Sequence, residues 1–119
     1  MSDETQRPRI VCLCGSTRFF EQFRHYNLYE TLAGRIVLTI GCDMRSDAQL
    51  FEGFSEDRLA QIKAELDELH LRKIDLADEI LILNIGGYVG ESTRREWAYA
   101  VSQGKTVRWH DPHSIPEGP

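Results

Sequence analysis

The chain has 119 residues, of which 41% are hydrophobic and 28% are charged, a composition typical of one folded domain that disfavours disorder of the whole chain. Its 14 basic residues stand against 19 acidic residues, giving a net charge of −5, and no basic stripe is visible. Binding of DNA or RNA as the main function is therefore disfavoured, whereas a small anionic ligand needs only a few local donors.

The three cysteines indicate a reducing compartment rather than a disulfide framework. Cys12 and Cys14 lie two residues apart in an apolar run, where a strand would point both to one face and pack them as small hydrophobic groups. With Cys42 the count is odd, and the chain has no Cys-x-x-Cys pair, so we expect no zinc, no other metal and no cofactor. Because neither a signal peptide nor an apolar stretch of membrane-spanning length is visible, we expect a cytoplasmic protein that binds no membrane.

In chain order, the first part of the sequence alternates apolar runs with one helical segment. Residues 1–8 are polar and are predicted to form a flexible tail, and the apolar run 10–14 predicts a buried strand. Ser16 offers an N-cap to a helix that is expected to end near Gly34, and a second strand is predicted over residues 36–40. Four aromatic residues at near-helical spacing indicate that helix: Phe19, Phe20, Phe23 and Tyr26.

The middle of the sequence combines a long connection with a long helix. Residues 42–54 are irregular and long for a connection in a compact domain, so we expect a functional loop or lid there. An amphipathic helix is predicted over residues 55–78, with enough apolar surface for both the core and an interface. Four consecutive branched aliphatic residues predict a third strand over residues 79–84. The apolar stripe of the helix consists of Leu59, Ile62, Leu66, Leu69 and Leu76.

The last third of the sequence completes an alternation of strands and helices. A glycine-rich turn at 86–90 precedes a predicted helix over 93–102 and a fourth strand over 106–109, and residues 111–119 are predicted to form a flexible tail. This order predicts one α/β domain over residues 9–110, a small doubly wound, flavodoxin-like parallel sheet with strand order 2-1-3-4. Ligands of such sheets bind beyond the carboxyl ends of the strands, at the switch between strands 1 and 3.

Two strand-to-helix turns meet at that edge and contain the candidate binding residues. Such turns present free N–H groups that suit phosphate or carboxylate, although neither turn contains a dinucleotide-binding fingerprint or a P-loop. In the first turn the alternative is that Gly15 only turns the chain and Ser16 only caps the helix. In the second turn Tyr88 either stacks on a base or sugar or packs on its own loop. The candidate substrate-binding residues are Gly15, Ser16, Thr17, Arg18, Gly87, Tyr88, Gly90, Ser92 and Thr93.

Glu96 is the candidate for the chemistry, because it lies in the first turn of the last predicted helix, at the ligand edge. An alternative is purely structural. Thr93-x-x-Glu96 matches a capping box, in which Glu96 only accepts a hydrogen bond from a backbone N–H at the start of the helix.

Three segments resemble the nucleoside 2-deoxyribosyltransferase family. Residues 92–107 contain its pattern of Glu96, two residues, Tyr-Ala, then Gly-Lys and a strand, while residues 77–83 resemble its third-strand entry and Cys14-Gly15-Ser16 its first ligand loop. The resemblance spans roughly residues 10–110. It implies a flavodoxin-like fold, a homodimer or higher homo-oligomer, and cleavage or transfer at an N-glycosidic bond with Glu96 as the nucleophile.

A second group must protonate the departing base, and here the sequence departs from the family. His70 stands where the family usually carries an acidic residue. A histidine donates a proton near neutral pH, so His70 is the candidate acid, or else it is a helix residue with no catalytic role. Asp75 and Asp78 are the next candidates, although Asp78 directly precedes a strand and fits a turn or capping role.

The resemblance also bears on the substrate. Relatives that act on nucleotides place small hydroxyl residues before the helix of the nucleophile, and Ser92 and Thr93 fit that place. Because Arg18 adds positive charge, we expect a nucleoside 5′-monophosphate ahead of a free nucleoside. The alternative function is a module on the same fold that binds or senses a nucleotide without turning it over.

Overall fold

The computed structural model describes residues 7–41 and 51–119, which contain one parallel sheet of four strands. The strands are β1 (Ile10–Cys14), β2 (Ile36–Leu38), β3 (Glu79–Ile82) and β4 (Thr106–Trp109). Their order across the sheet is β2-β1-β3-β4, and every neighbouring pair is parallel. This confirms the predicted flavodoxin-like α/β fold, with its topological switch between β1 and β3.

Three helices connect the strands within the described part of the chain. A 3₁₀ turn (Thr17–Phe19) leads into α1 (Phe20–Leu32), which is followed by α2 (Glu56–Leu76) and α3 (Glu91–Ser102). None of these helices is both long enough and apolar enough to cross a membrane.

The sheet has a hydrophobic core on each face because its two central strands are apolar on both sides. Helix α1 covers one face, and α2 and α3 cover the other. Cys12 and Cys14 share the second face, as the alternation of side chains along a strand requires. The core under α1 consists of Val11, Leu13, Phe23, Leu81 and Leu83. The core under α2 and α3 consists of Cys12, Cys14, Ile74, Ala77, Ile80, Ile82, Trp97 and Ala100.

Several element boundaries differ from the prediction by two residues. Strand β2 ends at Leu38 because it pairs only with the first three residues of β1. Strand β3 ends at Ile82 and helix α2 at Leu76, each earlier than predicted, whereas α3 begins earlier, at Glu91. Ser55 is the N-cap of α2 as expected, since its hydroxyl accepts the N–H of Arg58 at 3.1 Å. Residues 1–6 and 42–50, including Cys42 and most of the predicted lid, lie outside the described residues.

The apolar stripe predicted for α2 is wrong about which residues face the sheet. The helix buries His70 and Ile74, while Leu66, Leu69 and Leu76 are each at least 50% exposed. The stripe that reaches the sheet runs through residues 70, 74 and 77 at helical spacing, and it is rotated around the helix so that Leu69 and Leu76 fall outside it. Only the last turns of α2 therefore contribute buried side chains to the core.

A fully buried asparagine connects the end of β3 with the segment after β4. The Asn84 side-chain amide donates to the carbonyl oxygens of Asp111 and Ser114, at 2.9 and 3.2 Å, and its side-chain oxygen accepts the N–H of Asp111 at 2.8 Å. The guanidinium of Arg94 also donates to the carbonyl oxygen of Gly118 at 3.1 Å. Residues after β4 thus have defined contacts with the domain.

Buried charges lie near the amino-terminal ends of β1 and β3. Glu79 begins β3, and its carboxylate accepts from Arg108 at 2.8 Å and from Arg9 at 2.9 Å. Arg108 also donates to Glu30 of α1 at 2.7 Å, and Arg35 lies 3.4 Å from the same carboxylate. We refer to these five residues as the charge cluster. It lies at the opposite end of the sheet from the edge where ligands of this fold bind.

Candidate active site

Four chemically reactive side chains meet on the face of the sheet that α2 and α3 cover. Strand β1 contributes Cys12 and Cys14, α2 contributes His70, and α3 contributes Glu96. His70 Nε2 lies 3.6 Å from Cys12 Sγ, 3.4 Å from Cys14 Sγ and 3.7 Å from Glu96 Oε1. All four side chains are buried, so each acts on its neighbours with little screening by solvent.

Glu96 lies inside α3 and not at its start. The N-cap of α3 is Gly90, which makes no side-chain cap, and both Thr93 and Glu96 are buried within the helix. The capping-box alternative for Thr93 and Glu96 is therefore wrong, because neither residue is at the position that the motif requires. Among the described residues, Glu96 Oε1 is buried and has no hydrogen-bond partner.

Burial and mutual contact shift the ionisation of this group. Burial raises the pKa of Glu96 to about 7. Burial lowers the pKa of His70, but its contacts with Cys12 and Glu96 outweigh this, and the net shift is upward. A hydrogen bond with Cys14 lowers the pKa of Cys12 to about 6. The members of this buried group therefore titrate together and not one by one.

A cavity of about 260 Å³ opens beside Glu96, between α2 and α3. Its rim carries three charged residues that were not among the predicted site residues: Lys63, Asp67 and Arg95. Lys63 and Arg95 each donate to the hydroxyl of Ser92 at 3.2 Å, and Asp67 lies 3.3 Å from Arg95 and 3.7 Å from Lys63. The cavity is lined by Ala64, Asp67, Glu68, Leu71, Ser92, Arg95 and Glu96.

The sequence of α2 contains a pattern that indicates these rim residues. Lys63, Asp67 and His70 are spaced by four and three residues, which places them along one side of a helix. The prediction of which part of α2 faces the sheet followed the apolar stripe of leucines instead and so did not include these residues. Arg95 directly precedes Glu96, but its neighbour on α2 becomes visible only when the two helices are packed together.

The predicted binding residues of the first turn contact those of the second turn. The Arg18 guanidinium lies 4.2 Å from the centre of the Tyr88 ring, and its nitrogen is 3.5 Å from the Tyr88 hydroxyl. Ser16 caps the 3₁₀ turn by accepting the N–H of Arg18 at 3.3 Å. Gly90 lies close to Tyr88, since a Cβ there would be 3.0 Å from the Tyr88 hydroxyl. Thr17 is exposed beside them.

Gly15 and Gly87 are both places where the chain passes close to a neighbour. A Cβ at Gly15 would lie 3.3 Å from Leu83, the residue after β3, so a larger residue would separate the two turns. Gly87 has a φ of 81° and lies next to Ser114 of the segment after β4.

The two aspartates that were the next candidates for a proton donor have other partners. Asp75 accepts the Tyr99 hydroxyl at 2.5 Å and pairs with Arg72 at 3.2 Å. Asp78 accepts the N–H of Ile10 at 2.8 Å and pairs with Arg7 at 2.6 Å. The contact with Ile10 gives Asp78 the structural role that its position before β3 indicated.

Comparison of the chain with family models, curated proteins and solved structures gives no match. The fold and the site define the class instead: a flavodoxin-like α/β domain with a buried carboxylate, imidazole and thiol group beside a cavity between two helices. Within that class, the particular activity is inferred from the chemistry of the site.

Proposed function

We propose that this protein cleaves the N-glycosidic bond of a nucleoside 5′-monophosphate, with Glu96 as the nucleophile. The observation that carries the proposal is the placement of Glu96, a buried carboxylate that lines a cavity and has an oxygen free of hydrogen bonds among the described residues. A carboxylate in that state is available to a developing positive charge. The sequence resemblance to nucleoside 2-deoxyribosyltransferases points to the same residue and the same reaction.

The chemistry explains why a carboxylate suits this position. As the bond between the anomeric carbon and the base nitrogen breaks, the sugar gains oxocarbenium character, which Glu96 stabilises. A Glu96 oxygen then forms a bond to the anomeric carbon, and the base leaves with the bonding electron pair and accepts a proton. Water, or a second base, later displaces Glu96 and regenerates the carboxylate.

The prediction that His70 protonates the departing base fits this geometry less well. Retaining glycosidases hold their acid and nucleophile about 5 Å apart, on either side of the scissile bond. His70 Nε2 is only 3.7 Å from Glu96 Oε1, and it is not among the described residues that line the cavity. We therefore assign His70 to positioning Glu96 and favouring its ionised form.

The two cationic groups at Ser92 support a phosphorylated substrate. Lys63 and Arg95 both donate to the Ser92 hydroxyl, whereas the carboxylates of Asp67, Glu68 and Glu96 line the cavity itself. Ser92 also lies in the first turn of α3, where free N–H groups favour an anion. On the neighbouring turns, Tyr88 and Arg18 present flat groups on which a base can stack.

The test is chromatography of reactions with ribo- and deoxyribonucleosides and their 5′-monophosphates. We expect the wild-type protein to release free base from a monophosphate and Glu96→Gln to lose at least about 1,000-fold in rate, since removal of a covalent nucleophile has effects of this order. Glu91→Gln is the matched control, because Glu91 is exposed in the first turn of the same helix. Full activity of Glu96→Gln, or no base release from any compound, would contradict the proposal.

A second candidate function is binding of a nucleotide without turnover. The contact between His70 and Glu96 favours this second function, because the imidazole occupies one side of the carboxylate that would otherwise attack the sugar. A monophosphate at 100 times its Kd would then raise the free energy of unfolding by about 2.7 kcal/mol, a shift that is easily seen in a melting curve. Stabilisation of wild-type protein together with no release of base would select this function.

A further inference from the structure

The buried group beside the cavity combines the ligand types that bind a transition metal. Cys12 Sγ, Cys14 Sγ and His70 Nε2 all lie within 4.8 Å of one another, and Glu96 Oε1 is 3.7 Å from the same imidazole nitrogen. The four residues are 0%, 0%, 4% and 8% exposed. The two sulfurs and the imidazole nitrogen thus form one buried cluster of donors, with the Glu96 carboxylate next to the imidazole.

The two sulfur–nitrogen distances match those of a tetrahedral zinc site. With Zn–S bonds of about 2.3 Å and Zn–N bonds of about 2.05 Å, tetrahedral angles place sulfur and nitrogen about 3.6 Å apart. The two observed distances from His70 Nε2 to the sulfurs are 3.6 and 3.4 Å. Glu96 is not part of the group whose donor atoms all lie within 4.8 Å of one another, so its carboxylate would have to move toward the sulfurs by on the order of 1 Å to become the fourth ligand.

The state of Glu96 is a second, independent sign of a ligand. Its Oε1 is buried and makes no hydrogen bond within the described residues, and His70 Nε2 lies 3.7 Å from it. A buried carboxylate oxygen without a donor is costly, and a bound cation removes that cost.

We propose that Cys12, Cys14, His70 and Glu96 bind one zinc ion. Two thiolates, one imidazole and one carboxylate form a donor set that zinc accepts, and binding releases the thiol protons to solvent. The expectation of no metal site rested on the missing Cys-x-x-Cys spacing. A Cys-x-Cys pair on a strand also delivers both sulfurs to one face, and the third ligand comes from 56 residues further along the chain.

This site goes beyond the proposed glycosidase and is in competition with it. A zinc ion held by Glu96 and His70 would occupy the Glu96 oxygen that acts as the nucleophile and the His70 nitrogen that positions it. Zinc-loaded protein is therefore expected to release base more slowly than metal-free protein, and removal of the ion is expected to restore the rate.

The test begins with wild-type protein that has been stripped with a chelator and kept reduced. Titration with Co²⁺ alone is expected to give the thiolate charge-transfer bands and intense visible bands of tetrahedral coordination, saturating at one ion per chain. Competition for Zn²⁺ against a coloured chelator then gives the affinity. Binding of well under one zinc per chain, or a cobalt spectrum with no thiolate band, would overturn the proposal whatever the variants do.

Variants locate the ion within the chain. Cys14→Ala and His70→Gln should each weaken zinc binding by more than about 100-fold, which exceeds the usual effect of residues that only support a ligand. His25→Gln is the matched control, because His25 lies on α1 beside Tyr29 and away from the cluster. Wild-type affinity in both cluster variants would overturn the assignment. Circular dichroism of each metal-free variant checks that it folds.

The metal and the glycosidase proposals fail separately. Zinc stoichiometry and the cobalt spectrum are measured without any nucleotide, whereas the release of base is measured with metal-free protein. A protein that binds zinc and cleaves nothing refutes only the glycosidase, and a metal-free protein that cleaves a nucleotide but binds no zinc refutes only the metal site.

Discussion

The side chain of Asn84 joins two parts of the chain that the sheet alone does not connect. It makes three hydrogen bonds to backbone groups of residues 111 and 114 and is fully buried. A buried amide with all its partners in place fixes one arrangement of the segment after β4. That segment also packs against Gly87, in the turn that carries the candidate binding residues.

Replacing Asn84 tests this connection. Asn84→Ala should lower the free energy of unfolding by about 2–3 kcal/mol, because it removes three hydrogen bonds and leaves buried backbone groups without partners. Urea denaturation measures the change, and hydrogen exchange should show that residues 111–114 lose protection. Asn27→Ala on the exposed side of α1 is the control. An unchanged midpoint in Asn84→Ala would contradict the argument.

Between elements, the charge cluster connects α1 to the sheet. Glu30 of α1 and Glu79 of β3 share the guanidinium of Arg108 from β4, so three elements meet at one cation. The Arg108 guanidinium holds the pKa of Glu30 below its ordinary value. Because the ionised form is the one that is stabilised, Glu30 strengthens the fold only while it is charged.

The pH dependence of stability follows from the lowered pKa of Glu30. Glu30 contributes at pH values above its unfolded pKa of about 4.3, and the contribution is lost as the pH falls through the lower folded pKa. Glu30→Gln should lower the free energy of unfolding by about 2 kcal/mol at pH 7, and the gap to wild type should close below pH 4. Denaturation at several pH values measures it, with Glu21→Gln on exposed α1 surface as the control. A gap that is constant with pH would show that the charge is not responsible.

The fold could be predicted from the sequence because the central strands consist almost entirely of apolar residues, which indicates that both of their faces are buried. Runs such as the aliphatic residues of β3 are compatible only with a sheet covered on both faces, and that fixes parallel strands and a doubly wound order. Helix ends were less certain, since α3 begins at Glu91 after the N-cap Gly90, which has no side chain to mark the start of the helix. The faces of α2 were predicted wrongly because hydrophobic spacing cannot tell a leucine that meets the core from one that stays exposed.

The composition of the candidate site could be predicted only in part. Position at the ligand edge and family resemblance both pointed to Glu96, and resemblance pointed to His70. The two cysteines were interpreted as core because their sequence neighbours are apolar. That His70 contacts both sulfurs depends on how α2 packs across β1, and this long-range packing leaves no local pattern in the sequence.

At the scale of the whole molecule, α2 presents apolar surface that the described residues of the chain do not cover. Leu66, Leu69 and Leu76 are 53%, 50% and 65% exposed. We expect a second copy of the chain to cover these leucines, because the sequence resemblance predicts a homo-oligomer. Burying each side chain would contribute about 1.5–3 kcal/mol before the costs of association.

Sedimentation tests the oligomer directly. Wild-type protein at micromolar concentration should sediment as a dimer or larger, and Leu66→Glu with Leu69→Glu should shift it to monomer, because a buried charge without a partner is costly. Val101→Glu is a control, since Val101 is a similarly exposed apolar residue on α3. A wild-type protein that sediments only as monomer would contradict the expectation.

The complete burial of Cys12 and Cys14 has a practical consequence for measuring local stability. Neither thiol has exposed surface, so an alkylating reagent reaches them only when β1 separates from its covering helices. When closing is faster than alkylation, the rate at which residues 12 and 14 are labelled reports the equilibrium between closed and open protein without any denaturant. Peptide mapping by mass spectrometry would distinguish these positions from Cys42. The central strand therefore carries its own intrinsic probes of opening.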